Sequence, residues 1–367
     1  MAYEIDFLPV GDGERSGDAI ALRFGNPAAP KQQDPTQQTV VVLDGGTKES
    51  GAELVDHIKS YYSTTVVDSV LCTHSDADHA SGLTEVLDNL QVQRLYMHLP
   101  WNHVKDLEDQ LKKAPTTDSV RQHFRKSLES ARGLEALAKK RGIPIIEPFS
   151  DKLKPNGTFA VLGPSTAFYE RLLASFRCAD ELNLKESFLQ KAISKAEKAI
   201  KWVAETWSSE TLVEPGDDDC SAENNSSAIL LFIHGSDKFL FTSDAGVLAL
   251  TEAADYAESI GIDLKTVTGI QIPHHGSKHN VGPAILDRIV GPKRKEQSTA
   301  ATKTAMVSVV KEAPKHPSKR VVNAFMRRGA TVIATHGMTK CHRSKDAPDR
   351  GWTAAVPLKF SAQVEAE

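Results

Sequence analysis

The apolar run Ser69-Val70-Leu71-Cys72 ends in Thr73-His74-Ser75-Asp76-Ala77-Asp78-His79, which sets two imidazoles and two carboxylates within six residues. So short an apolar run reads as a buried strand, and the polar cluster then stands at one rim of a sheet. A helix starting near Ser81 accounts for one Ser or Asp as a cap, but not for two histidines framing two aspartates. Histidine and carboxylate together suit first-row divalent ions, and more donors than one ion needs point to two. Two further apolar runs finish in the same chemistry. Phe239-Leu240-Phe241-Thr242-Ser243 leads into Asp244, and Ile270-Gln271-Ile272-Pro273 leads into His274 and His275. A lone Asp after a strand is ordinarily a helix cap. Three strand ends that all deliver ligand-type side chains constrain the fold to sheets whose edges converge. Adjacent residues of an extended segment point opposite ways, so one of His274 and His275 is expected to bind.

The rest of the chain fits that frame. Strands are expected at Ile5–Val10, Ala19–Phe24, Thr39–Leu43, Ser69–Thr73 and Arg94–His98. Ala228–Ile233 and Lys238–Thr242 form a hairpin, and later strands fall at Val267–Ile272, Met306–Val310, Thr331–Thr335 and Ala355–Phe360. Helices are expected at about Ser81–Leu90, Ala249–Ile260, Gly282–Ile289 and Ser318–Arg328. Strands alternating with helices give an α/β fold. The middle differs: from Thr116 to Arg141 and from Thr166 to Trp207, apolar residues recur at helical spacing among many Lys, Glu and Ala. One domain over residues 1–367, with a mostly helical insertion over 100–220, is the expected organisation. That insertion is a candidate lid, substrate platform or contact for a homodimer or partner protein, or simply extra packing. Trp202 and Trp207 read as core residues.

Several motifs resemble the metallo-β-lactamase-fold hydrolases, and most closely the hydrolase domain at the C-terminus of the bacterial competence DNA-uptake channel protein. His74-Ser75-Asp76-Ala77-Asp78-His79 matches the superfamily's H-x-H-x-D-H signature with the Asp that this branch carries at the second ligand position. Phe7–Gly13 with Gly17-Asp18, Val42–Gly46, Asn224–Ser227, His275-Gly276-Ser277, His316-Pro317 and Thr335-His336-Gly337 follow in the branch's order. The correspondence spans about residues 3 to 340 and is weak from about 100 to 220. The resemblance implies an αββα sandwich with the site along one edge and two divalent ions, zinc or manganese. It places His74 and Asp76 on the first ion, Asp78 and His79 on the second, Asp244 bridging both, and His275 completing the second. Asp78 would also orient the attacking hydroxide. His274, His316 or His336 would protonate a leaving group or hold an anionic substrate, with Ser277 and Lys340 nearby as substrate contacts. Many superfamily members carry a further metal-binding His between the first cluster and the bridging Asp. None of the thirteen histidines here lies between Phe124 and Ile233. The first site is therefore oxygen-rich, which shifts the expected ion towards manganese or loosely held zinc. Water, Asp12 or Asp18 could supply the remaining ligand.

Net charge is −4, so no global basic field draws the chain to nucleic acid. The Lys and Arg residues around 311–320 and 340–345 could still form a local basic rim suited to phosphodiesters. The start lacks a basic, apolar leader and no stretch is long enough to span a bilayer, so a cytoplasmic enzyme without membrane partners is expected. The function expected is a two-metal phosphodiesterase or nuclease acting on nucleic acid or a nucleotide. The alternatives are a lactonase, thioesterase or β-lactamase chemistry, or a scaffold subunit with a structural metal site.

Overall fold

Side-chain alternation decides what each strand buries. In the strand Gln38–Gly45, Val41 and Leu43 face one way and Val40 and Val42 the other, and all four are buried. A strand covered on both faces reads as a continuous apolar run, which is why these segments stand out in the sequence. Each such Val, Leu or Phe contributes about 1.5–3 kcal/mol on full burial.

The computed structural model describes residues 2–11, 16–26, 37–105, 121–122, 124–125, 128–177, 202–216, 218–297, 300–311, 313 and 316–366. A seven-stranded sheet runs in the order Lys340–Arg343, Ala2–Phe7, Ala19–Gly25, Gln38–Gly45, Ser69–Leu71, Leu95–Tyr96, Ile145–Ile146. A six-stranded sheet runs Ala330–Ala334, Lys303–Val307, Gly269–Gln271, Asp237–Phe241, Ile229–His234, Phe159–Gly163. Ile5, Phe7, Leu22 and Leu43 of the first pack against Phe232, Phe239, Phe241 and Met306 of the second. The helices Lys48–Tyr61, Leu83–Asn89 and Glu129–Lys140 cover the first sheet's outer face through Leu54, Ile58, Leu87 and Leu134. Val247–Ser259, Pro283–Ile289 and Lys319–Arg327 cover the second through Leu250, Ala254, Leu286 and Phe325. The layers are helix, sheet, sheet, helix: the expected αββα sandwich.

Within each sheet a block of strands is parallel: Gln38–Gly45 through Ile145–Ile146 in the first, and Asp237–Phe241 through Ala330–Ala334 in the second. Parallel strands put all their C-terminal ends on one edge, where open α/β sheets place ligands. Glycines let the turns there close up. A Cβ on Gly82 would lie 1.9 Å from the Gly45 carbonyl oxygen, and one on Gly17 2.2 Å from that of Asp78.

Three expectations fail, one of them the helical spacing as far as Trp207, since Trp202–Ala204 is a strand paired with Gln363–Glu365. Ala355–Phe360 is irregular rather than a strand: Pro357 has no amide to donate, Val356 is 81% exposed, and the segment touches the second sheet through Leu358 N–H to the Val332 carbonyl at 2.9 Å. Trp202 is not core but 48% exposed, with the Lys319 ammonium 4.2 Å from its ring centroid. Within residues 100–220 the described parts include helices Glu129–Lys140 and Thr166–Leu173, together with Phe159–Gly163 at the edge of the second sheet. The helical faces through Phe188, Leu189, Ile193 and Ile200 lie outside the described residues, as do Asp12 and Lys315. Among the described residues, no helix is long and apolar enough to cross a membrane.

Candidate metal centre

The Asp44 carboxylate, at the end of its strand, fixes the first ligand turn. It accepts from Thr73 N–H at 2.8 Å, from Thr73 Oγ1 at 2.6 Å and from His79 Nδ1 at 2.8 Å. Thr73 Oγ1 also lies 2.6 Å from Ser243 Oγ, which ties this turn to the residue before Asp244. Donating its Nδ1–H to Asp44, His79 turns its Nε2 to the interior. His275 is set the same way, since its Nδ1 donates to the Ser308 carbonyl at 3.0 Å. A carbonyl can only accept, so the free lone pair is on Nε2. Orienting an imidazole through its far nitrogen is how proteins prepare metal ligands.

These lone pairs converge. Asp244 Oδ2 is 4.0 Å from His74 Nε2, 3.5 Å from His79 Nε2 and 3.6 Å from His274 Nε2, and Oδ1 is 3.9 Å from His275 Nε2. Ligand atoms within 4.8 Å of one another group as His74, His79 and Asp244; Asp78, His79 and His275; and Asp18, Asp244 and His275. Nε2 of His74, His79 and His275, with Oδ1 of Asp18 and Asp244, are buried and have no hydrogen-bond partner among the described residues. Orphaned buried acceptors cost roughly 1–3 kcal/mol each. Five aimed at one volume, all of them metal-ligating types, fit divalent cations.

The charges are correspondingly strained. Burial, with the Asp244 and Asp44 carboxylates, pushes the Asp18 carboxyl up to about 7 against the opposing pull of His79. Burial would lower His79, but Asp244 and Asp44 outweigh it and hold the imidazole well above its usual range. Burial lowers His275 to about 3 and, with His79 beside it, lowers His74 as well.

The expected site residues therefore divide. His74, Asp78, His79, Asp244 and His275 come together. Asp76 does not join them: Arg177 Nη2 bonds both its oxygens, at 2.7 and 2.9 Å, while Glu223 receives the same guanidinium's Nε at 3.0 Å. Asp18, one of three options for the oxygen ligand, is instead inside the cluster, its Oδ2 accepting from Gln271 Nε2 at 2.8 Å. His274 lies at the mouth. Asn280 donates its amide N–H to the Asp244 carbonyl at 2.9 Å, which turns Asn280 Oδ1 towards His274 Nδ1 at 2.9 Å. His316 stacks on the His274 ring, centroids 6.5 Å apart. Ser277 is buried, and its Oγ accepts from the His279 amide at 3.2 Å, so it shapes the turn rather than facing a substrate. His336 and Lys340 stand together further along the rim, outside the cluster. Asn224, from the Asn224–Ser227 motif, sets its Nδ2 3.1 Å from His274 Nδ1, whereas Arg177 and Asn280 carried no signal in the sequence that a site search would notice.

Comparison with known families agrees with this geometry. Residues 35–168 match the model of the metallo-beta-lactamase superfamily. The chain carries a metallo-beta-lactamase superfamily domain. Members of that superfamily are generally metal-dependent hydrolases. No curated protein matches the sequence. Similar solved structures include the metallo-beta-lactamase fold protein YhfI from Bacillus subtilis, at 10% identity and TM-score 0.41, covering 93% of this chain and 100% of that one. A diphosphatase of the PhnP family is 11% identical at TM-score 0.34, covering 94% and 98%. Likenesses at this level do not speak to what the chain acts on.

Proposed function

We propose that this metallo-beta-lactamase superfamily hydrolase is a two-metal phosphodiesterase acting on nucleic acid or a nucleotide. The observation that carries the reading is the Asp244 carboxylate, shared by overlapping donor sets that include His74 and His79 on one side and Asp18 and His275 on the other. Asp78 joins His79 and His275 at the more open end. A pair of divalent ions supplies Lewis acidity, lowering the pKa of water from about 16 to about 7 and offsetting charge that develops on phosphoryl oxygens.

The chain's own residues do the rest. Asp44 and the Ser308 carbonyl hold His79 and His275 in one tautomer, so no reorientation is needed on loading. His274, whose side chain is 35% exposed, presents Nε2 at the mouth and can hold a proton for a leaving oxygen. Burial of His74, His79 and Asp244 keeps bulk water from competing for them. Phosphate as the electrophile is favoured by cations near the rim. Lys340 and Lys311 flank His336, Lys311 lying 3.0 Å from where a Gly337 Cβ would stand. The rim is less basic than the sequence suggested, because Arg320 is engaged by the Glu365 and Thr211 carbonyls. The likeness of the Asp76-Ala77-Asp78-His79 motif to the competence-type branch points the same way.

The test is cleavage of end-labelled single- and double-stranded DNA and RNA with manganese or zinc, beside Asp244→Asn. Metal-dependent cutting that disappears in the variant supports the proposal. A folded, metal-loaded protein that cuts none of them, nor bis(p-nitrophenyl) phosphate, would refute it.

A further inference from the structure

Backbone strain extends the functional rim beyond the metal cluster. Six non-glycine residues among those described have positive φ: Asp44, Ser63, Ser243, His274, His275 and His336. Such conformations cost about 1–3 kcal/mol and persist where the surroundings enforce them, often at sites. All but Ser63 stand at strand ends on the metal edge, and among those five His336 alone is outside the cluster and its immediate supports. Thr335 holds it there, its Oγ1 bonding both the amide and the carbonyl of Val309 at 2.8 Å. Val309 directly follows Ser308, the residue that orients His275.

His336 opens onto a pocket of about 660 Å3 between the 335–339 turn with the strand Lys340–Arg343 and the irregular segment 352–358. That volume falls in the range of small-molecule sites, about 300–1,000 Å3. Its walls are chemically unlike. One carries His336 and Lys340, and Lys340 has no carboxylate within ion-pair distance among the described residues. The other is apolar, formed by Ala354, Ala355, Val356 and Pro357. Met338, 60% exposed, and Val356, 81% exposed, flank it and are the two most exposed large apolar side chains described. A cation facing exposed apolar groups suits a ligand with one anionic group and one flat, weakly polar body.

We propose that this pocket binds a nucleoside monophosphate unit of the substrate, next to the phosphodiester at the metal edge. The phosphate rests on Lys340 and His336, and the base lies between Met338 and Val356. This rests on the phosphodiesterase reading and adds to it: the site selects nucleotide esters over simple ones. The failure of Ala355–Phe360 to form a strand belongs to the same account, since a paired strand there would close the apolar wall against the second sheet.

Calorimetric titration of the full chain with deoxyadenosine monophosphate tests the pocket directly, with Lys340→Ala, Val356→Asp and, on a remote surface, Arg94→Ala. Val356 is so exposed that its replacement leaves folding unaffected. Binding weakened at least tenfold in both pocket variants and unchanged in Arg94→Ala is expected. In parallel, the KM for a dinucleotide should rise at least tenfold relative to that for bis(p-nitrophenyl) phosphate. No binding by the unaltered protein, or equal binding by all four, overturns the pocket assignment. If the unaltered protein hydrolyses no phosphodiester but loses nucleotide binding in both variants, the pocket stands and the phosphodiesterase reading falls.

Discussion

Replacing Asp244 by Asn is the most direct probe of the cluster, because the change removes one charge while keeping shape and burial. In the metal-free protein the Nε2 atoms of His74, His79 and His275 and one oxygen each of Asp18 and Asp244 are buried without hydrogen-bond partners among the described residues. At roughly 1–3 kcal/mol each, they form a local deficit that cations would relieve. A cation at 100 times its Kd stabilises the folded state by about 2.7 kcal/mol. For a chain of 367 residues each kcal/mol moves Tm by about 1.3 °C, so loading should raise Tm by about 3.5 °C. Asp244 belongs to two of the donor sets, and losing its charge should weaken binding about 100-fold or more, the upper end of what even a supporting residue costs. The same cation concentration then gives only about 0.4 kcal/mol, a shift under about 1 °C. The assay is scanning calorimetry of chelator-treated protein before and after addition of manganese or zinc. An unshifted parent protein, or a variant that shifts as far as the parent, would refute the assignment.

Other consequences concern the framework. Arg350 bridges the buried Asp6, at 3.0 and 3.1 Å, and Glu4, at 2.9 Å; Arg350→Met leaves Asp6 with His57 and Tyr62 and Glu4 with Arg23, and should cost about 1–3 kcal/mol, read as a lower urea midpoint. Burial alone would raise the Asp6 carboxyl, but the hydrogen bond and charge of His57, with Arg350, hold it at about 2. Because that lies below the unfolded value, its contribution of about 2 kcal/mol is complete above about pH 4 and drains away as pH falls towards 2. Asp6→Asn should therefore flatten the acid limb of the stability–pH curve; an unchanged limb would show that Asp6 is not the group responsible. Gly82→Ala forces a methyl against the Gly45 and Thr47 carbonyls, 1.9 and 2.4 Å from the added carbon. It should destabilise by about 2–3 kcal/mol and weaken cation binding, because this contact seats the turn that carries His79.

How far the sequence reaches depends on the range of the interaction. The strand ends at Cys72, Ser243 and Pro273 were legible because alternation and apolar runs are local, and each stops at ligand-type residues. So were the helices at Leu83–Asn89, Val247–Ser259, Pro283–Ile289 and Lys319–Arg327, down to one or two residues at their ends, whereas Lys48–Tyr61 was not expected. Asp18 was ambiguous because Gly17-Asp18 reads as a turn. What draws it into the cluster is Gln271, 253 residues away, and burial beside Asp44 and Asp244. Asp76 stands apart from the cluster for the opposite reason. Its place in the motif assigned it to a metal, whereas its partner Arg177 lies 101 residues on, in a region where the motif match fades. Ala355–Phe360 looked like a strand by composition, yet Pro357 and the lack of a ladder partner decide against it. Local pattern thus locates the donors, and distant partners decide which of them face a cation. The choice between His274 and His275 follows the same logic. Both are adjacent and left-handed in φ, yet only His275 reaches the Ser308 carbonyl, which buries its ring and frees Nε2 inward. His274 is held by Asn224 and Asn280, and Asn280 also fastens the backbone carbonyl of Asp244, so the mouth histidine is tied to the segment that carries the central carboxylate.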